Sequence, residues 1–426
     1  MSESIQPEEP TEPASVGAPV RVPKLAWPLL IAISFLATVG MTVVLPVLPF
    51  VIQEYVPEAS LALWVGVLES VYALCAFIAA PFLGSLSDRF GRKPILVISV
   101  LGSAIGYLMF GIGGALWVLV VSRIVDGLTA GDMPVMFAYV ADITPPDQRA
   151  KRYGLLGALG GIGFMMGPAI GGLLAQVSLS APVFLTAGIA ALVGVLSALV
   201  LPESLAKQNR RAELDLSELH PFTVISAAFG RKELRALLIG FTLISIPFAF
   251  FANNFTVLAL DSVGWGPTEV GWVLSAVGVS DILIQGVLLG WLLSSLGERG
   301  VVIAGMIGQL VGCLGLALVA SVLPMPWLLA GAGLVLAAGQ GGQTAALDGL
   351  MSASVAADEQ GWLAGGLTSL GSAVQMLAPL LAGWLYGISH GAPYWIGVGL
   401  IAAAALTLLR SARRVRPGIQ PDAQPA

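Results

Sequence analysis

Charge is what this 426-residue chain has least of: Asp, Glu, Lys and Arg make up 11% of it, against 57% for the hydrophobic residues. Soluble domains carry about a quarter charged residues, so a mean hydropathy of +0.89 excludes an ordinary soluble fold. Two cysteines exclude a disulfide scaffold; Cys75 and Cys313 both fall inside apolar runs and read as small core residues. The two histidines, His220 and His390, lie in polar connections, which leaves no histidine proton relay within the apolar segments. No GxxxxGK[ST] loop occurs, which removes an ATP-driven pump. Metal-ligand spacings and nucleophile arrangements are also missing, so neither metal nor cofactor is expected and an enzyme is the weakest class. With a net charge of -5 and no basic face, nucleic acid is not an expected partner.

What is abundant is apolar sequence. Runs of about 20 apolar residues, the length that crosses a ~30 Å hydrocarbon layer, begin near Trp27, Leu61, Pro94, Ala115, Tyr153, Ala181, Ala236, Pro267, Gly300, Met325, Trp362 and Pro393. They predict an all-α integral membrane protein with twelve spans. The bases then set its orientation, because Lys and Arg in short loops stay on the cytoplasmic side. Of the 20 bases, all but Arg123 fall on one face if twelve spans alternate. Both termini are therefore expected in the cytoplasm, with the lipid bilayer of a bacterial-type inner (plasma) membrane as the surroundings. Opposite loops such as "QEYVPEAS" and "DSVGWGPTE" hold no base, and the acidic "AADEQG" is the one departure on the basic face.

Composition also divides the chain. Residues 1–24 are Pro- and Glu-rich and read as a disordered cytoplasmic tail; residues 25–201 hold six spans; 202–235 form a polar linker; 236–411 hold six more; 412–426 are a second tail. The two halves look like repeats. "GSLSDRFG" (Gly84 to Gly91) matches "GWLLSSLG" (Gly290 to Gly297) at an offset of 206 residues, and Gly154, Gly160, Pro168 and Gly172 match Gly365, Gly371, Pro379 and Gly383 at 211. A duplicated six-helix unit with its substrate site between the halves is a transporter architecture.

At these motifs the chain resembles the major facilitator superfamily. "GSLSDRFGRKP" (Gly84 to Pro94) is similar to that family's signature loop, in which Asp88 and Arg92, with Asp142 of "AYVADITPPDQRAKRYG", are implied as a cytoplasmic gate. "GFMMGPAIGG" resembles the motif of its antiporters: Gly163, Gly167, Gly171 and Gly172 clear a face for close helix packing, and Pro168 bends the helix. With "LPVLP" in the first span and Arg123 and Gly127 in the fourth, the similarity is strongest to twelve-helix drug:proton antiporters, tetracycline exporters included. The resemblance implies a major facilitator fold of two six-helix bundles exporting amphipathic drugs or similar small molecules in exchange for protons, as a monomer. Tetracycline exporters carry acids in the first, third and ninth helices where this chain has Ala37, Gly106 and Gln309, which argues against tetracycline itself. The rival reading is a proton-linked uptake transporter for a sugar, organic acid or other metabolite on the same fold. A receptor without transport would not need buried acids.

Inside the spans stand five acids and one base: Glu69, Asp126, Asp132, Asp281, Asp348 and Arg123. An intramembrane charge costs at least about 2.5 kcal/mol on insertion scales, so it persists where it is paired or faces a polar cavity. Asp126 is three residues from Arg123 and shares its face, and Glu69 lies at a similar depth, so Arg123 can hold one carboxylate while another exchanges the proton. Asp132, nine residues on, faces away unless the helix distorts at Gly131 or Pro134; it is either a second proton or cation site or a structural hydrogen-bonding group. Glu69, Arg123, Asp126 and Asp132 are thus the expected coupling residues. Asp281 is the expected contact for a cationic substrate, with Tyr72, Asn253, Asn254, Gln285, Gln340, Gln343 and Gln375 lining the cavity unless they serve as bonds between helices.

Overall fold

A chain in lipid has no water for its backbone N–H and C=O groups, so a closed hydrogen-bond ladder within each segment is required. The computed structural model describes residues 25–211, 221–356 and 359–412, and among them there is helix and no strand. The expected tail 1–24, the expected tail 412–426 beyond Ala412, and the linker stretch 212–220, His220 included, lie outside the described residues.

Twelve crossings follow, several of them broken where the sequence demands it. The first is α1 (Ala26–Val43) with α2 (Leu48–Ile52), interrupted at the "LPVLP" turn, where Pro46 and Pro49 lack the N–H that continues a helix. Then come α3 (Leu61–Phe90) and α4 (Arg92–Ile112). The fourth crossing is split into α5 (Leu116–Leu128) and α6 (Asp132–Ile143), and α7 (Pro146–Leu174) and α8 (Ala181–Val200) complete the first six. The linker carries the short α9 (Pro221–Gly230) ahead of α10 (Lys232–Val263). The eighth crossing is α11 (Pro267–Leu283), which runs through a π-helical turn at Ile284–Leu288 into α12 (Leu289–Ser321). Gly297, at φ 67°, turns the chain inside α12 and so begins the ninth crossing. Next are α13 (Pro326–Ser352), α14 (Gln360–Ile388) and α15 (Ala392–Ala412).

Among the described residues eight segments qualify as spans by length and hydropathy alone. The physical reasons for the difference are local: the fourth crossing is two short helices, the eighth and ninth are continuous, α13 is diluted by glutamine and glycine, and the apolar part of α15 is short.

The helices of each half pack on one another, α1 on α7 and α4 on α8 in the first, α12 on α13 and α10 on α15 in the second. Across the halves α3 meets α14 and α7 meets α11. These two seams are copies of each other. The Pro379 carbonyl lies on Gly66 and the Pro168 carbonyl on Gly271; the Ala62 carbonyl lies on Gly383 and the Pro267 carbonyl on Gly172. The positions on α3 and α11 are related by 205 residues and those on α7 and α14 by 211, so the repeat read in the sequence is also a repeat of contacts. Both seams sit at the end of the molecule away from the basic loops. Toward the basic end Gly84, Gly154, Gly157, Gly365 and Gly371 have no described neighbour within 4 Å of where a side chain would begin, so the halves part there.

Candidate functional site

The gap between the halves is a chamber of about 720 Å³, of the size that encloses a drug-like molecule. Its wall is formed by Tyr72, Ala76, Phe77 and Pro81 of α3, Ser245 and Phe248 of α10, Gln340 of α13, and the stripe Gly365, Thr368, Ser372 and Gln375 of α14. None of its lining residues is charged. A smaller side chamber of about 270 Å³ penetrates the first half and shares Tyr72, Ala76 and Ala130 with the large one. Here the acids are found: Asp126 and Asp132, with Ser103 and Tyr107.

The break between α5 and α6 makes that convergence possible. On one continuous helix Asp126 and Asp132 would lie six residues apart, about 240° around the axis. The chain instead leaves the helix after Leu128, turns at Thr129 and Gly131, and restarts at Asp132 in the first turn of α6. Both side chains therefore reach one chamber. A carboxylate in the first turn is favoured by the free N–H groups there. Glycine lets α5 come close: a side chain on Gly106 of α4 would meet the Asp126 Cβ at 2.8 Å, and one on Gly102 would strike Thr129.

Asp126 pairs with Arg123, Nη1 to Oδ2 at 3.6 Å, and both are almost fully buried. Above the guanidinium stand Phe110 at 4.9 Å, Tyr72 at 5.8 Å and Tyr107 at 5.9 Å, ring faces that stabilise a desolvated cation. Two of its nitrogens, Nε and Nη2, are buried without a hydrogen-bond partner. Glu69 does not form the expected pair with Arg123: it is half-buried, within electrostatic reach of Arg123 and Asp126, and has no base within 4 Å among the described residues.

The other expected cavity residues divide. Tyr72, Gln340 and Gln375 line the large chamber. Asn253 and Asn254 do not: their amides donate to the Pro379 carbonyl at 3.3 Å and the Ala382 carbonyl at 2.9 Å, fastening α10 to α14. Pro379 lacks an N–H, so the helix ladder is interrupted beside it and side chains from outside bond there, as Ser70 does with the Leu380 N–H at 3.1 Å. Asp281 and Gln285 also line neither chamber; they bond to each other at 2.7 Å at the end of α11, beside Gly341. Gln343 is wholly buried behind Gln340. Phe248, Gly365, Thr368 and Ser372 lie outside the expected set and join Gln375 on that wall. The stripe's spacing of three, four and three residues in "GGLTSLGSAVQ" is the signal that one small polar helix face is available to a cavity.

The antiporter-motif residues pack on two sides. A side chain on Gly163 would begin 2.8 Å from the Phe35 carbonyl, one on Gly167 would meet Thr42 and one on Gly171 Val43, all on α1; Gly172 and Pro168 meet α11. At the basic end Arg92 bridges Asp88 and Asp142, with Ser87 at 2.7 Å, while its backbone N–H reaches Glu203 at 2.8 Å. Ser204 bonds Asp142 at 2.9 Å, and Arg211 approaches Asp88 at 3.9 Å. That network ties the ends of α3, α4, α6 and α8 to the linker, all on one side of the gap. The second half has its own tie: Arg231 forks onto Glu359 at 2.8 and 2.6 Å and stacks over Trp362 at 4.4 Å.

The Major Facilitator Superfamily model matches residues 30–260 and 237–425. The tetracycline resistance protein of class H from Pasteurella multocida is 33% identical over 89% of this chain and 92% of its own length. That of class C from Escherichia coli is 34% identical over 88% and 92%. Among solved structures, the nucleoside transporter NupG superposes with a TM-score of 0.70 over 90% of this chain and 98% of its own, at 14% identity, a likeness of fold.

Proposed function

This chain belongs to the Major Facilitator Superfamily, and from that premise we propose that it is a proton-coupled exporter of amphipathic drugs or similar small molecules, working by alternating access. The observation that carries the reading is the side chamber: a buried acid held by an arginine, Asp126, and a half-buried acid with no base within 4 Å among the described residues, Asp132, lie beside a large uncharged chamber between the halves. The charge of a carboxylate is balanced either by a proton or by a cation. Antiport follows when the two are alternatives at one site. Asp132 takes the proton or the cationic end of the substrate, Asp126 answers to Arg123, and Glu69 is the carboxylate to which Arg123 turns when Asp126 is protonated.

The relatives named for tetracycline resistance support export. Sequence polarity supports an inner-membrane placement with the basic end and both termini in the cytoplasm, so the chamber described above faces inward. The six-helix units are taken as 25–201 and 236–411, and the Asp88, Arg92, Asp142 network is the first half's contribution to closing that end. The uptake alternative draws no support from these relatives.

The test is reconstitution with an internal pH dye, adding tetracycline and a set of lipophilic cations and zwitterions. Substrate-evoked proton movement that disappears in Asp126→Asn and Asp132→Asn supports antiport at this site. Proton movement unchanged in both variants sinks the assignment, and no proton movement with any compound sinks export.

A further inference from the structure

In the second half the counterpart of the acidic side chamber is a relay of amides, and its orientation can be worked out from one end. The Ile244 carbonyl of α10 can only accept. Gln309 of α12 reaches it at 3.0 Å, so that contact must be made by Nε2. The second N–H of Gln309 points at Gln340, which must therefore turn its oxygen inward. Gln343 Nε2 donates to that same oxygen at 3.0 Å. With its oxygen doubly engaged, Gln340 keeps only Nε2 for other partners: one N–H goes to Thr344 Oγ1 at 3.0 Å, and one remains. Gln340 lines the large chamber.

The remaining polar groups of that wall sharpen the consequence. Ser245 donates its hydroxyl to the Phe241 carbonyl at 2.7 Å and Thr368 donates to the Ala364 carbonyl at 2.9 Å, so both offer the chamber lone pairs. Tyr72, Ser369, Ser372 and Gln375 have no such bond among the described residues and are free to turn, so Gln340 is the donor on that wall whose direction is fixed. The relay also leaves Gln309 Oε1 and Gln343 Oε1 buried without partners.

We propose that Gln340 is a substrate-recognition residue held by Gln309 and Gln343 as a fixed N–H donor, and that the transported class carries a hydrogen-bond acceptor oxygen apart from its cationic group. The cation lies toward Asp132 in the first half and the oxygen toward Gln340 in the second, so one molecule touches both halves. This inference rests on the export reading. Gln340 touches the substrate; Gln309 and Gln343 are positioning residues.

The test uses two triphenylphosphonium cations, one with a phenylpentyl chain and one identical but for a ketone beside the phenyl ring. Their binding to the purified full-length protein in lipid nanodiscs is measured. The wild type is expected to bind the ketone about tenfold more tightly, the order expected when a held donor is matched. Gln340→Leu and the better-tolerated Gln340→Met are expected to abolish that preference, with the thermal unfolding temperature of each variant reporting folding. Gln309→Leu reduces the preference because the Gln340 amide is released to turn, whereas a merely structural role would weaken both cations alike. Equal binding by the wild type, or a preference that survives in both Gln340 variants, overturns the proposal. A tenfold preference without substrate-driven proton movement sinks the export reading and leaves this one standing; proton-coupled transport of both cations with equal affinity does the reverse. Failure of either cation to bind overturns this proposal and leaves the export reading to the proton-movement test.

Discussion

Arg123 touches one carboxylate and three rings, and leaves two nitrogens unpaired. Removing one member of a buried ion pair costs more than the pair contributes, about 3–5 kcal/mol, because the survivor is left without a counter-charge. Arg123→Gln should therefore lower the thermal unfolding temperature in detergent markedly, while the double variant with Asp126→Asn recovers most of the loss; an additive double variant would show that the two do not act as a pair. Gly106 tests the same corner sterically. A methyl group there would sit 2.8 Å from the Asp126 Cβ, so Gly106→Ala should destabilise by roughly 1–3 kcal/mol and disturb the Arg123 contact, read as lost stability together with weakened proton exchange. At this scale the sequence was legible in kind and not in place. That the five acids and one base mattered followed from their cost in lipid. The helix distortion at Gly131 that the sequence allowed puts Asp132 on the chamber of Asp126, but nothing in the sequence showed that Asp281 turns to Gln285 and Asn253 to the Pro379 carbonyl. Those choices are made by neighbouring helices that no local pattern reports.

Elements tell the opposite story, because their signals are periodic and local. Eleven of the twelve expected starts fall within four residues of a helix start or, for Gly300, of the Gly297 turn; α7 alone begins well ahead, at Pro146 against Tyr153, where proline opens a helix whose first turns are charged. The glycine and proline spacing also anticipated the seams, although not which carbonyl each glycine would receive. The two seams make a paired prediction. Gly66→Ala presses on the Pro379 carbonyl and Gly271→Ala on the Pro168 carbonyl, and overpacking of this kind costs about 1–3 kcal/mol. That cost falls on the state in which the far ends touch, so each variant should raise the population open at that end by roughly tenfold. Labelling of Ser70→Cys with an impermeant maleimide from the side opposite the basic loops, in a Cys75→Ser, Cys313→Ser background, reads the shift. Faster labelling in both variants is expected; a change in only one would mean that the seams do not share the load, and a change in neither would mean that they do not hold that end closed.

Among the described residues Asp126 and Asp132 stand at the side chamber within the spans, and ion pairs tie the basic end of each half. The pair in the second half determines how that end responds to pH. Two hydrogen bonds from Arg231, with a third from the Ala356 N–H, hold the Glu359 carboxyl below its ordinary value of 4.5. A carboxylate with a depressed pKa contributes its stabilisation above its unfolded value and loses it as pH falls through the folded one. The Arg231–Glu359 tie should therefore be unchanged between pH 7 and pH 5 and release only below about pH 4.5, the ordinary value. Hydrogen exchange at the Ala356 and Glu359 amides, which bond across the same turn, measures this directly. Corrected for intrinsic rates, protection in the wild type should be equal at pH 7 and pH 5, and it should already be lost at both in Glu359→Gln. Loss in the wild type between those values would make the tie itself a proton sensor. Its persistence leaves the response to a proton gradient to the acids within the spans, which is where a carrier that exchanges protons for substrate needs it.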